Sequence, residues 1–286
     1  MISKIDLHMH STASDGSDTP EELLQRIQSA GIRTFSLTDH DSIEGALKLE
    51  KLVPDGLRFF RGIEFSCYTE VKKCHILGYG YDPEHPAFQA ALKEGRDLRM
   101  EKLERRLRYL KEAHGIEFTE EERAWLRSMN SPGKPHISRL LIRRGLVSTI
   151  QEAIDRYIDD QPGRESSDPG SWWIRAETAV RAILSSGGVP VWAHPLGGEG
   201  ETRLTREEFE RQLDTLCGFG IRGLECWYSR YDRADVDFLL GEASSRALLV
   251  SGGSDCHGRN KNIPAGMLND FDRPVSEEDL TILRLL

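Results

Sequence analysis

Six of the chain's nine histidines, with three carboxylates, fall in short segments that each lie at an apolar, strand-like run. They are His8 and His10 in DLHMHS with Asp15 just beyond, His40 in LTDHD, Glu64 in RGIEFS, His75 in CHILGYG, His194 in VWAHP, and Asp255 with His257 in GGSDCHG. A mixture of imidazoles and carboxylates ligates Zn, Mn and Fe, and it suits a catalytic site better than a structural one. Each residue alone has a plainer use: His194 before Pro195 as a turn residue, Asp255 as a cap. Their joint recurrence at strand ends is what points to a metal cluster. An extended H-x-H aims both rings to one face, whereas Cys256, between Asp255 and His257, should face away from both.

The elements around these segments predict where they meet. Strands are expected at 4–8, 33–38, 57–66 and 73–79, with a helix at 42–51. Thr19-Pro20-Glu21-Glu22 supplies an N-cap, a first-turn proline and a capping glutamate, so a helix starts there and stops at Gly31. The texture then changes. Residues 86–113 form a long charged helical pattern with Leu92, Leu103, Leu107 and Leu110 among its apolar positions. Further helical patterns cover 119–128, 135–144 and 149–158, and the Pro/Gly/Ser-rich stretch 159–171 reads as loop. Alternation resumes with a helix at 176–186, a strand at 189–193, a helix at 206–217, a strand at 221–226, a helix at 233–244, a strand at 247–251 and a final helix from about Glu277. The expected fold is a parallel α/β barrel formed by 1–85 and 174–286, with an all-α insertion at 86–173. Carboxyl ends of barrel strands share one face, where barrel enzymes place their chemistry.

Charge and cysteine usage exclude several classes. The net charge of −9 argues against general nucleic-acid or membrane-surface binding. Residues 95–145 nevertheless carry 13 Lys/Arg against 8 Asp/Glu, a basic segment suited to an anionic substrate. The five cysteines show no CxxC spacing and are expected to be buried thiols of a reducing compartment. No apolar run of ~18 residues is present, so a cytoplasmic protein is expected.

DLHMHS, TDHD, GIEFS, AHP and GSDCH, in that order, resemble the PHP (polymerase and histidinol phosphatase) family, and the inserted helices resemble its stand-alone bacterial phosphoesterases. The resemblance implies a distorted (β/α)7 barrel with a centre of three divalent metal ions, Mn, Fe or Zn. It assigns His8, His10, Glu64 and Asp255 to one metal, Glu64, His75 and His194 to a second, and Asp15, His40 and His257 to a third. Glu64, Asp255 and His194 are then the expected catalytic residues, with a metal-bridging hydroxide as nucleophile. The expected substrate is a small phosphorylated molecule, best a nucleotide with a 3′-phosphate or 3′,5′-bisphosphate, or a short oligoribonucleotide. Neither duplex nucleic acid nor a membrane is an expected partner. SPGKPHISRLL offers Lys134, His136 and Arg139 to the substrate near a helix start. The family often has a basic residue after its HP motif. Here the segment is HPLGGEGETR and Arg203 is the first arginine to take that role. Rival readings are a histidinol-phosphate-type phosphatase, a metallo-amidohydrolase, and a non-catalytic metal- or nucleotide-binding module.

Overall fold

The structure is a computed structural model that describes residues 1–158, 172–198 and 202–286, so the predicted loop at 159–171 lies outside the described residues. Its centre is a nearly closed, distorted (β/α)7 barrel. In chain order the strands are β1 (Ile5–Asp6), β2 (Thr34–Leu37), β3 (Arg58–Tyr68), β4 (Lys73–Tyr79), β5 (Ile174–Arg175), β6 (Val189–Ala193), β7 (Gly223–Tyr228) and β8 (Leu249–Gly253). They pair in the order β1-β2-β3-β4-β6-β7-β8, with the two-residue β5 beside the far end of β3. Helices α1 (Pro20–Ala30), α2 (Glu44–Glu50), α7 (Ala176–Ser185), α8 (Arg206–Phe219) and α9 (Arg233–Ser245) belong to the barrel units. Strands such as VPVWA are apolar and buried along their whole length, as strands covered on both faces must be.

The barrel is not wholly parallel. β4 runs antiparallel to both β3 and β6, because a tight turn in which the Thr69 N–H donates to the Lys72 carbonyl (3.0 Å) replaces a crossover helix. His75 therefore reaches the ligand face from the beginning of its strand, not from its end. The final helix expected from Glu277 is also absent. Two 3₁₀ turns, Glu277–Asp279 and Thr281–Arg284, stand there instead, pinned by the buried Leu280 and Ile282. The other predicted elements match to within about two residues, α1 with its Thr19–Glu22 capping box and left-handed Gly31 included.

Closure joins the two ends of the chain. The Leu7 N–H donates to Gly252 O (3.2 Å), Asp255 N–H to His8 O (2.8 Å) and His10 N–H to Cys256 O (2.9 Å). A Cβ on Gly253 would overlap the Cβ and backbone nitrogen of His8, so only glycine allows this approach. Gly253→Ala is expected to destabilise the protein by about 1–3 kcal/mol. Urea unfolding would test this, and wild-type stability in the variant would mean that the seam opens without cost.

The insertion carries α3 (Pro86–His114), α4 (Glu120–Arg127), α5 (Lys134–Arg143), and α6 (Ile150–Ala153) running into a π-helical turn at Ile154–Ile158. It has an apolar cluster of its own, built on Leu103, Leu107, Leu110, Leu126, Ile137, Leu140 and Leu141. The first turns of α3 instead pack Phe88, Ala91 and Leu92 into the barrel's main core, which fixes the helical block to the barrel.

Candidate metal centre

The fold brings all nine predicted ligands to one rim. His8 and His10 follow β1, Asp15 lies on the next loop and His40 follows β2. Glu64 sits within β3, His75 near the start of β4, His194 just past β6, and Asp255 and His257 just past β8. Glu64 is the hub. Its Oε2 lies 3.3 Å from His8 Nε2, 3.2 Å from His10 Nε2 and 3.0 Å from His40 Nδ1. Its Oε1 lies 3.0 Å from His75 Nδ1 and 3.1 Å from His194 Nε2. Asp255 Oδ1 approaches His10 Nε2 at 3.2 Å, and Asp15 Oδ1 approaches His257 Nε2 at 3.2 Å.

Hydrogen bonding alone does not satisfy this arrangement. Glu64 Oε2 and His40 Nδ1 are buried and have no hydrogen-bond partner, although they are 3.0 Å apart. Ring nitrogens also face each other, His8 Nε2 and His10 Nε2 at 3.2 Å and His75 Nδ1 and His194 Nε2 at 3.1 Å. Lone pairs aimed at shared points are what a cation needs and what a proton network avoids. Among the described residues, three groups could each hold an ion: His10, Asp15, His40 and His257; His8, His10 and Asp255; and His40, Glu64 and His75. The donor set therefore fits divalent metal ions. No cysteine enters it, since Cys256 points into the apolar cluster with Met9 and Leu23.

Electrostatics keeps the carboxylates ionised. Burial pushes the Glu64 carboxyl up, but His40, His75 and His8 outweigh it and hold it well below the usual range. Burial is likewise outweighed at Asp15, by His257 and His40, and at Asp255, by Lys261 and His257.

A surrounding layer of groups escaped the sequence reading. Glu225, fully buried in β7, accepts from His8 Nδ1 (2.8 Å) and from the His194 backbone N–H (2.7 Å). Asp39 accepts from the Ser11 N–H (2.7 Å) and the Ser14 hydroxyl (2.6 Å), and so shapes the loop that carries Asp15. Asp6 does the same for the Asp255 loop, through the Ser254 and Gly266 N–H groups (2.9 and 2.7 Å). Tyr228 and Lys261 both donate to Asp255 Oδ2, at 3.0 and 2.7 Å. The available signal was a carboxylate inside an otherwise apolar strand run, as in IDL, LTD and GLECW.

Three non-glycine residues of this rim have positive φ: Asp41 (46°), His194 (28°) and Asp255 (58°). Each has its N–H fixed by a partner, Glu64 O, Glu225 Oε2 and His8 O respectively, which sustains a costly backbone conformation. Glu225→Gln keeps the shape but removes the charge behind His8, and is expected to weaken metal affinity about 10- to 100-fold. Competition with a fluorescent chelator would measure this, and unchanged affinity would relegate Glu225 to packing.

The predicted substrate contacts fall in two places. α5 starts over the Asp15 loop, with His136 Nδ1 accepting from the Gly133 N–H (3.0 Å). Burial lowers the pKa of His136 to about 4, so the ring is neutral and Nε2 carries its proton. Arg139 reaches Asn260 Oδ1 (3.3 Å) and Gly16 O (3.5 Å), and Lys134 opens the helix. Arg203 instead pairs with Asp235 at the start of α9. His85 and His114 lie at the two ends of α3, outside the cluster.

Known proteins share this fold and sequence. A 3′,5′-nucleoside bisphosphate phosphatase of Chromobacterium violaceum is 30% identical over 259 residues, covering 90% of this chain and 88% of that protein. A 5′-3′ exoribonuclease of Haemophilus influenzae is 33% identical over 268 residues, covering 90% and 91%. A solved structure described as an amidohydrolase from Chromobacterium violaceum, with bound sulfate and no metal, superposes with a TM-score of 0.80 at 29% identity, covering 99% of this chain and 95% of that one. The sequence profile of the PHP domain matches residues 6–159, just over half of the chain. By profile, by relatives and by fold, the chain belongs to the PHP domain family.

Proposed function

We propose that this protein is a metal-dependent phosphoesterase of small nucleotides. Its substrate is a nucleoside with a 3′-phosphate or 3′,5′-bisphosphate, or the end of a short oligoribonucleotide. The observation that carries the chemistry is the convergence of five imidazoles on one buried carboxylate, Glu64, beside a second group around Asp15. The nucleotide preference is supported by the nucleoside bisphosphate phosphatase and exoribonuclease relatives. In this reading His8, His10, Glu64 and Asp255 would hold one divalent ion, Glu64, His75 and His194 a second, and Asp15, His40 and His257 a third. When bound, such ions supply Lewis acidity towards a phosphoryl group and an activated water near neutral pH.

The chain's own residues then have separable duties. Glu64 is held ionised by its imidazoles, so it can hold two ligand sets at a fixed spacing. Glu225 fixes the ring of His8 and the backbone of His194. Lys134, His136 and Arg139 present donors above the Asp15 side of the rim, where negative phosphate oxygens would lie. Residues 86–173 act as the substrate-covering insertion on the barrel formed by 1–85 and 174–286. In this reading Arg203 reaches substrate only if it leaves Asp235.

A ³¹P NMR time course of the Mn²⁺-loaded protein with adenosine 3′,5′-bisphosphate tests this reading. Inorganic phosphate should appear as one ester signal disappears. No phosphate release, in a sample shown to hold its metals and also inert to short 5′-phosphorylated oligoribonucleotides, would overturn it.

A further inference from the structure

A line of unpaired arginines leads outward from the metal rim along α5. His136, Arg139 and Arg143 follow one another at steps of three and four residues, so they share one face of a helix that contains no Asp or Glu. The line begins at the rim. Arg139 donates to Asn260 Oδ1 (3.3 Å), and the Asn260 side-chain amide donates to the Asp15 carbonyl (2.6 Å). Arg143 stands one turn farther out and is exposed. Arg259, also exposed, joins from the loop past β8, adjacent in sequence to the asparagine that Arg139 bonds.

What sets these arginines apart is the lack of a counter-charge. Neighbouring arginines of the insertion are tied to carboxylates: Arg144, the residue after Arg143, to Glu122, and Arg127 to Glu104. Among the described residues, Arg139, Arg143 and Arg259 pair with no carboxylate. Arg139 holds the neutral oxygens of Asn260 and Gly16, and Arg143 lies over the half-exposed ring of Trp125 in α4, 5.5 Å from its centre. Trp125 also meets the ring of His136 edge-on, with centres 6.1 Å apart. An aromatic ring is thus set inside the basic line. Burial and the charges of Arg143 and Arg259 lower the pKa of Arg139 although Asp15 opposes them, so the three guanidinium groups act on one another.

We propose that His136, Arg139, Arg143, Arg259 and Trp125 form a track for a single-stranded oligonucleotide, which holds the nucleotides beyond the one at the metal rim. Unpaired cations around an aromatic ring suit a flexible polyanion with unstacked bases. An acidic peptide would use the charge and leave the indole idle. From His136 to Arg143 the helix rises about 10 Å, the length of about three nucleotides at roughly 3.4 Å each. The track rests on the phosphoesterase reading and deepens it, since an oligoribonucleotide then uses the whole site and a mononucleotide only its inner end.

Fluorescence anisotropy with the Mn²⁺-loaded protein tests it, with a 3′-fluorescein hexauridylate whose phosphorothioate linkages resist hydrolysis. Arg143→Gln and Arg259→Gln should each weaken binding about three- to tenfold, and the double variant by about tenfold or more. Each change should also make the slope of log affinity against log salt shallower by about 0.7, as loss of one phosphate contact to a single strand does. Both residues are exposed, so turnover of adenosine 3′,5′-bisphosphate should stay at the wild-type level. No binding by wild type overturns the track, and so do unchanged affinity and salt slope in a double variant that unfolds like wild type. Tighter binding of a hexaglutamate peptide than of the oligonucleotide would also overturn it, by assigning the line to an acidic protein segment. If the oligonucleotide binds as expected but neither the bisphosphate nor an unmodified oligoribonucleotide is turned over, the phosphoesterase reading falls and the track stands.

Discussion

Glu64→Gln is expected to remove at least about 10³-fold of kcat for phosphate release while leaving the fold in place. The side chain is almost fully buried, and the amide has nearly the same volume, so packing is preserved. The loss is electrical. Five imidazoles surround this carboxylate, three of them (His8, His10 and His40) on the oxygen that lacks a hydrogen-bond partner. An amide offers one acceptor oxygen and replaces the other with a donor, which would confront ring nitrogens and any cation they hold. The metal content of the variant, measured by inductively coupled plasma mass spectrometry, should fall along with turnover. A Glu64→Gln protein with wild-type kcat would rule out any mechanism in which this carboxylate joins two ligand sets.

Removal of divalent ions is the second large effect. Exhaustive chelation should leave under about 1% of activity and lower the unfolding temperature on the order of 10 °C, because ions that bind only the folded state stabilise it by mass action. The structural reason is the number of ionised or lone-pair groups packed together. Glu64, Asp15 and Asp255 are held as carboxylates among six imidazoles on a largely buried rim. Without cations those groups must be neutralised by protons and water. Differential scanning calorimetry before and after chelation, followed by separate additions of Mn²⁺, Zn²⁺ and Fe²⁺, checks both claims. Full activity after stripping, with no bound ion detectable, would refute the metal dependence.

Much of this site was legible in the sequence because its ligands stand out against apolar strands. His8, His10, His40, His194, Asp255 and His257 each interrupt or end a run of buried residues, and polar groups in such places need a reason. What was hidden follows from tertiary context. Nothing in TEVK, the turn after β3, carries the Gly or Asn that usually signals a hairpin, so the reversal of β4 could not be read locally. Glu225 stands out as a carboxylate among apolar neighbours, but only the fold shows that it backs His8 and His194. The final helix failed for a similar reason. A helical pattern of ten residues is marginal unless it packs along its length, and here Leu280 and Ile282 are tied into the core by short turns instead. Arg203 was assigned by position after the HP motif, whereas the structure gives it a carboxylate partner in Asp235.

The seam between β1 and β8 also has a consequence for how the molecule is made. His8 and Asp255 are neighbours in space, yet most of the chain separates them in sequence, so their contact closes a very long loop. During synthesis the early ligands His8, His10, Asp15, His40, Glu64 and His75 emerge long before their partners on the last strand. A nascent chain can therefore capture an ion on a partial set of ligands, but it cannot complete the rim until residues past 257 have left the ribosome. The complete set of candidate ligands therefore comes together only on barrel closure, which depends on one of the most distant pairings in the fold.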